Sequence, residues 1–101
     1  MVERQSGTPE SDATIALLSV ALDRATGQPL VRQLYGALRD LILTRRIAAG
    51  ARLPSTRKLS RDLDVSRTVT LDAFSQLTAE GFLETRRGSG HYVAELSLIH
   101  I

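Results

Sequence analysis

Three short runs in this 101-residue chain set arginine beside hydroxyl or glycine neighbours: Thr56-Arg57, Ser66-Arg67-Thr68 and Arg86-Arg87-Gly88. Arginine presents a planar fork of donors that grips a phosphate, or the O6/N7 edge of guanine, with two hydrogen bonds. Serine and threonine hydroxyls reach phosphate oxygens or base edges, and glycine lets a backbone approach a phosphate closely. The chemistry on offer is recognition of a polyanion, without bond making or breaking. A solvated helix face is the plain reading of Arg67, an N-cap that of Ser66, and an ordinary hairpin turn that of Arg86 and Arg87. Taken together, the three runs favour a nucleic-acid surface.

Catalytic and metal-binding patterns are weak by comparison. His91 and His100 are isolated, and Cys is absent. No His/Cys/carboxylate cluster has metal-ligand spacing. Asp62, Asp64 and Asp72 are too spread to act as a carboxylate pair,. The glycine-containing run 86–90 lacks the strand-to-helix context of a phosphate-binding loop. His91 reads as a strand residue. The chain is therefore expected not to be an enzyme.

Charge sharpens the picture. There are 13 Lys+Arg against 11 Asp+Glu for a net of +2, and 12 of the 13 are Arg. Residues 1–29 sum to −2, whereas residues 30–92 carry ten Arg and Lys58 against six acidic groups, a sum of +5. Without Cys there is no disulfide framework, and the apolar runs Ile15 to Leu18 and Leu41 to Leu43 fall far short of a membrane span,. With no signal-peptide pattern at the N-terminus, a cytoplasmic protein without a membrane partner is expected.

The elements that must position these residues follow from periodicity. Residues 1–27 are expected to form a disordered or extended arm, extended near Val20 to Leu22. After Pro29, the spacing of Leu30, Leu34, Leu38, Leu41 and Ile42 predicts an amphipathic helix ending near Arg46,. Ser55 is placed to cap a short helix over Thr56 to Leu63, Asp64 tolerates a left-handed turn, and Ser66 caps a third helix from Arg67 to about Glu80. In that helix Val69, Thr70, Ala73, Phe74 and Leu77 share one side, while Arg67, Thr68, Leu71, Asp72 and Ser75 face out. Beyond Gly81 the period changes to two β-compatible runs, Phe82 to Thr85 and His91 to Ala94, around a basic tip. Three helices and a hairpin give an α+β, mainly α, winged helix-turn-helix over residues 28–94. In such a fold the second helix of the motif enters the major groove, its partner braces the backbone, and arginines of the wing reach a narrow minor groove.

The same motifs carry a family resemblance. Gln28-Pro29-Leu30, Arg32-Gln33-Leu34-Tyr35, Leu53-Pro54-Ser55-Thr56-Arg57, Val65-Ser66-Arg67-Thr68, Leu77 to Leu83 and Gly88 to Val93, in this order, resemble the N-terminal DNA-binding domain of GntR-family bacterial transcription regulators. Leu22-Asp23-Arg24 with Gly27, and the run Ser66 to Leu71, look most like the MocR subgroup. The resemblance implies a double-stranded DNA operator as partner, a homodimer in the full-length protein, and DNA contacts at Arg57, Ser66, Arg67, Thr68, Arg87 and Gly88. It also implies a separate aminotransferase-like domain that binds pyridoxal 5′-phosphate and is absent from this chain. Leu71 stands where several relatives carry a second arginine, so its expected contact is at most with a thymine methyl. The tail 95–101 has no family counterpart. Leu96 to Ile101 looks like the translation of a transposon end used in sequencing libraries, so a truncated reading frame is expected. The rival to DNA binding is a winged helix used as a protein-interaction module.

Overall fold

A computed structural model of the chain describes residues 20–86 and 90–95. Three helices precede a hairpin: α1 (Leu30–Leu43), α2 (Thr56–Leu63), α3 (Arg67–Ala79), β1 (Leu83–Arg86) and β2 (Gly90–Val93). The expected arm up to residue 19, the wing tip at 87–89 and the tail from 96 lie outside the described residues.

Helix α1 starts after Pro29, whose carbonyl accepts from the Arg32 and Gln33 amides at 3.1 and 3.2 Å. Its 3.6-residue stripe buries Leu34, Leu38, Leu41 and Ile42,. The helix stops at Leu43, three residues before the expected end. Arg45 takes a left-handed conformation, φ 62°, and the amides of Arg46 and Ile47 both turn back to the Leu41 carbonyl. That closure satisfies a terminal carbonyl and drives Ile47 into the core,.

Both later helices are capped as expected. The Ser55 hydroxyl accepts from the Lys58 amide at 3.1 Å, and that of Ser66 from the Val69 amide at 3.2 Å,. Between them Asp64 adopts φ 57° and ψ 51°, the left-handed cap that ends α2 before the turn into α3,. Helix α3 sends Thr70, Ala73, Phe74 and Leu77 into the core against α1, with Val69 half-buried, and leaves Arg67, Thr68, Leu71, Asp72 and Ser75 exposed. Tyr35 on α1 donates to the Glu80 carboxylate at the end of α3. That bond, with burial adding to it, holds the phenol above its ordinary pKa of 10.0.

One polar link lies inside the motif. The hydroxyls of Ser60 and Thr70, both buried, share a hydrogen bond of 2.8 Å, and Ser60 also donates to the Thr56 carbonyl at 2.6 Å. The link joins the middle of α2 to the first turn of α3.

The hairpin pairs Leu83 with Val93, Glu84 with Tyr92, Thr85 with His91 and Arg86 with Gly90. It is shifted one residue from the expected runs: Phe82 stays outside the strand because its amide caps the Leu77 carbonyl, and Gly81 at φ 88° makes the turn. Residues 50–53, read from sequence as loop, lie along the free edge of β2. Gly50 donates to Val93, Val93 to Ala51 and Leu53 to His91, at 2.8 to 2.9 Å, and Arg52 bridges to Tyr92. His91 is a strand residue, as expected, and meets Phe74 edge-on with ring centroids 4.9 Å apart.

Residues 20–29 contain no helix or strand, yet they are fastened at two points. The Gln33 side chain accepts from the Asp23 amide at 2.7 Å and donates to the carbonyls of Asp23 and Gln28. The Arg24 guanidinium donates to the carbonyls of Leu63 and Asp64, at 3.1 and 2.6 Å, closing the C-terminal end of α2 from outside the motif,. Val20 and Leu22, just before these points, pack on the core.

Two outcomes follow for stability. Ser60→Ala strands the Thr70 hydroxyl and is expected to cost ~1–3 kcal/mol in urea unfolding, part of which returns when Thr70→Val is added. Burial holds His91 below its ordinary pKa of 6.5. The unfolded chain then binds the extra proton first, so the His91 contribution is complete above about pH 6.5 and is lost as pH falls through the lower folded value. His91→Gln is expected to flatten that part of a Tm-versus-pH profile.

Candidate nucleic-acid interface

The N-termini of α2 and α3 emerge side by side. Arg67 Nη2 lies 3.5 Å from Thr56 Oγ1, joining the first residues of the two helices. The first turn of each helix leaves backbone N–H groups without helical partners, and each helix end carries about half a positive charge. Exposed Arg57 and Arg67 add two full charges at the same place. The two helix starts thus carry first-turn amides, two exposed arginines and the half-buried Thr56, features that suit an anion,.

The residues singled out from sequence divide as follows. Thr56, Arg57, Ser66, Arg67 and Thr68 are brought together at the paired helix ends. The Ser66 oxygen is occupied in capping, leaving its proton for an outside acceptor. Leu71 is one turn further along the exposed face of α3 and 45% exposed,. Arg86 is at the end of β1, its guanidinium 4.0 Å from the Tyr92 ring centroid and 3.7 Å from the Glu84 carboxylate. These contacts aim the side chain along the wing while leaving it half exposed,. Arg87 and Gly88 lie outside the described residues.

Sequence reasoning missed Arg52. Its guanidinium lies beside the first residue of β2, opposite Arg86 at the far end of the hairpin, 3.8 to 3.9 Å from where a Cβ on Gly90 would stand. The signal was absent because Arg52 sits in a run with loop composition, and only the pairing of 50–53 with β2 brings it to the hairpin. Its position adds an exposed arginine to the hairpin beside Arg86 and Tyr92.

Other surfaces offer little chemistry. A shallow depression of ≈ 180 Å³ is lined by Pro29, Val31, Arg32, Tyr35 and Gln76, apart from the paired helix ends. Among the described residues no group of three His, Cys, Asp or Glu could hold a metal ion, and no helix is long and apolar enough to cross a membrane.

Comparison with known proteins gives the family and the fold. Residues 30–93 match the family described as "Bacterial regulatory proteins, gntR family". The chain is 47% identical over 77 residues to the probable rhizopine catabolism regulatory protein MocR of Rhizobium meliloti, covering 76% of this chain and 16% of that protein. It is 40% identical over 76 residues to the pyridoxine biosynthesis transcriptional regulator PdxR of Corynebacterium glutamicum, covering 75% of this chain and 17% of the relative. The chain thus spans about one sixth of the length of these two relatives. Among solved structures, YtrA from Sulfolobus acidocaldarius, a GntR-family transcription factor, superposes with a TM-score of 0.71 at 23% identity, over 80% of this chain and 87% of that one, a likeness of fold. A GntR family transcriptional regulator from Listeria monocytogenes gives 0.66 at 30% identity, over 69% and 61%. With residues 30–93 matching the family and relatives 40 to 47% identical over three quarters of the chain, the chain belongs to the gntR family of bacterial regulatory proteins.

Proposed function

We propose that this chain is the operator-reading part of a bacterial transcription regulator and that its paired helix ends are the DNA contact. The approach of Arg67 to Thr56 carries the reading, because it joins the first residues of the two helices on one arginine-bearing surface. In this reading α3 enters the major groove of duplex DNA. Ser66, Arg67 and Thr68 meet phosphate and base edges, Leu71 lies over the groove floor, and Thr56 and Arg57 hold the backbone. Arg86, Arg87 and Gly88 of the wing track the minor groove or its phosphates.

For the whole protein we extend the proposal to a cytoplasmic homodimer on paired half-sites, with a pyridoxal 5′-phosphate-binding effector domain outside this chain. The residues here do not fit that cofactor. The chain's single lysine, Lys58, is exposed on α2 with its ammonium 2.7 Å from the Asp62 carboxylate. Any covalent chemistry of the cofactor belongs elsewhere, and no catalytic step is assigned to this chain.

Fluorescence anisotropy on a duplex selected from a random pool tests the reading. Binding is expected to weaken steeply with salt. Arg57→Ala is expected to weaken binding to all duplexes alike and lower the salt slope by about one, whereas Arg67→Ala costs ~1–3 kcal/mol and relaxes sequence preference. Absent or salt-insensitive binding by the folded chain would overturn the proposal in favour of a protein-interaction role.

A further inference from the structure

Leu71 is a large apolar side chain, 45% exposed, on the face of α3 that also bares Arg67, Thr68 and Ser75. It follows Arg67 by four residues, so the two side chains are neighbours about 6 Å apart along the helix axis. The other exposed large apolar residue among those described, Leu43, is the last residue of α1, where the chain turns away. Leu71 has no such excuse. It lies in the first half of a helix whose core-facing positions are already filled by Thr70, Ala73, Phe74 and Leu77.

A leucine in that place discriminates by what it cannot do. The major-groove edges of guanine, adenine and cytosine present donors and acceptors that lose their water when an apolar group covers them and get no hydrogen bond in return. Thymine alone adds a methyl group, at C5, to the groove floor. Apolar contact there removes two apolar surfaces from water, and contact with any other base edge is penalised.

Resting on the DNA-reading role proposed above, we infer that Leu71 is a specificity-determining residue that recognises the C5 methyl group of a thymine one helical turn from the base or phosphate held by Arg67. The contact carries no charge, so it adds sequence preference without adding to the salt dependence of binding. It also makes recognition depend on the methyl itself, so that 5-methylcytosine, which bears a methyl at the same ring position, satisfies it and cytosine does not.

Methyl scanning with the intact chain tests this. Each thymine of the pool-selected duplex is replaced in turn by deoxyuridine, which deletes the methyl and leaves the hydrogen-bond pattern unchanged. The wild-type chain is expected to lose affinity about fourfold at one thymine, or at one per half-site, the value of one buried methyl-sized group. Leu71→Ala is expected to bind the thymine and deoxyuridine duplexes equally, with the Tm and salt slope of the wild type. At the same position, 5-methylcytosine should bind the wild type better than cytosine does, and this difference should vanish in Leu71→Ala. Indifference of the wild type to every deoxyuridine replacement overturns the inference while leaving DNA binding intact. A methyl penalty that persists in Leu71→Ala also overturns it and moves the contact to another side chain, Thr68 first. Failure of the folded wild type to bind any duplex overturns the DNA-reading role and this inference with it.

Discussion

Bringing two helix N-termini together costs electrostatic energy in the free protein. The partial positive ends of α2 and α3 meet where Arg67 reaches the Thr56 hydroxyl, and exposed Arg57 follows Thr56 in the same first turn,. The rest of the fold has to hold that arrangement against its own repulsion. Apolar packing of Phe74 and Leu77 in one core with Leu59 and the α1 leucines supplies restraint, and the buried Ser60–Thr70 pair fixes how α2 and α3 sit on one another. A buried hydroxyl pair does this better than two aliphatic side chains, because sliding either helix breaks a hydrogen bond with no water at hand to replace it. A polyphosphate backbone relieves the same repulsion, so what is unfavourable in the free chain becomes part of the attraction in the complex.

The helical part of this architecture was legible in sequence because it is written in local chemistry. Ser55 and Ser66 cap helices through their own side chains, Asp64 tolerates a left-handed turn, and the inward stripe of α3 follows a period of 3.6. What escaped depends on distant partners. The end of α1 was set by a carbonyl at Leu41 receiving two returning amides, a pattern with no glycine to announce it, since Arg45 occupies the left-handed position. The edge pairing of 50–53 and the position of Arg52 depend on β2, about forty residues downstream. The Ser60–Thr70 link was equally hidden, because a serine on a short polar helix reads as solvated until the neighbouring helix covers it.

The candidate site divides along the same line. Residues at capped helix starts could be located from spacing alone, whereas the behaviour of Arg86 required the cross-strand neighbour Tyr92 and the adjacent acid Glu84. Those contacts change what the arginine is. Stacked on a ring and balanced by a carboxylate, it loses less conformational freedom on meeting a phosphate than a free side chain does. The basic surface is thus graded, with pre-oriented guanidinium at the wing, unscreened charge at the helix ends, and an apolar spot at Leu71 between polar neighbours on α3.

The strap formed by Asp23 and Arg24 lies outside residues 30–93, the stretch that matches the family. A cloning boundary drawn at residue 30 from that match would remove the group that closes α2 and leave the Leu63 and Asp64 carbonyls without their guanidinium. The unit of recognition and the unit of folding therefore have different limits in this chain. The smallest piece that keeps the turn between α2 and α3 as it stands begins upstream of its own signature, in residues whose composition marks them as a linker.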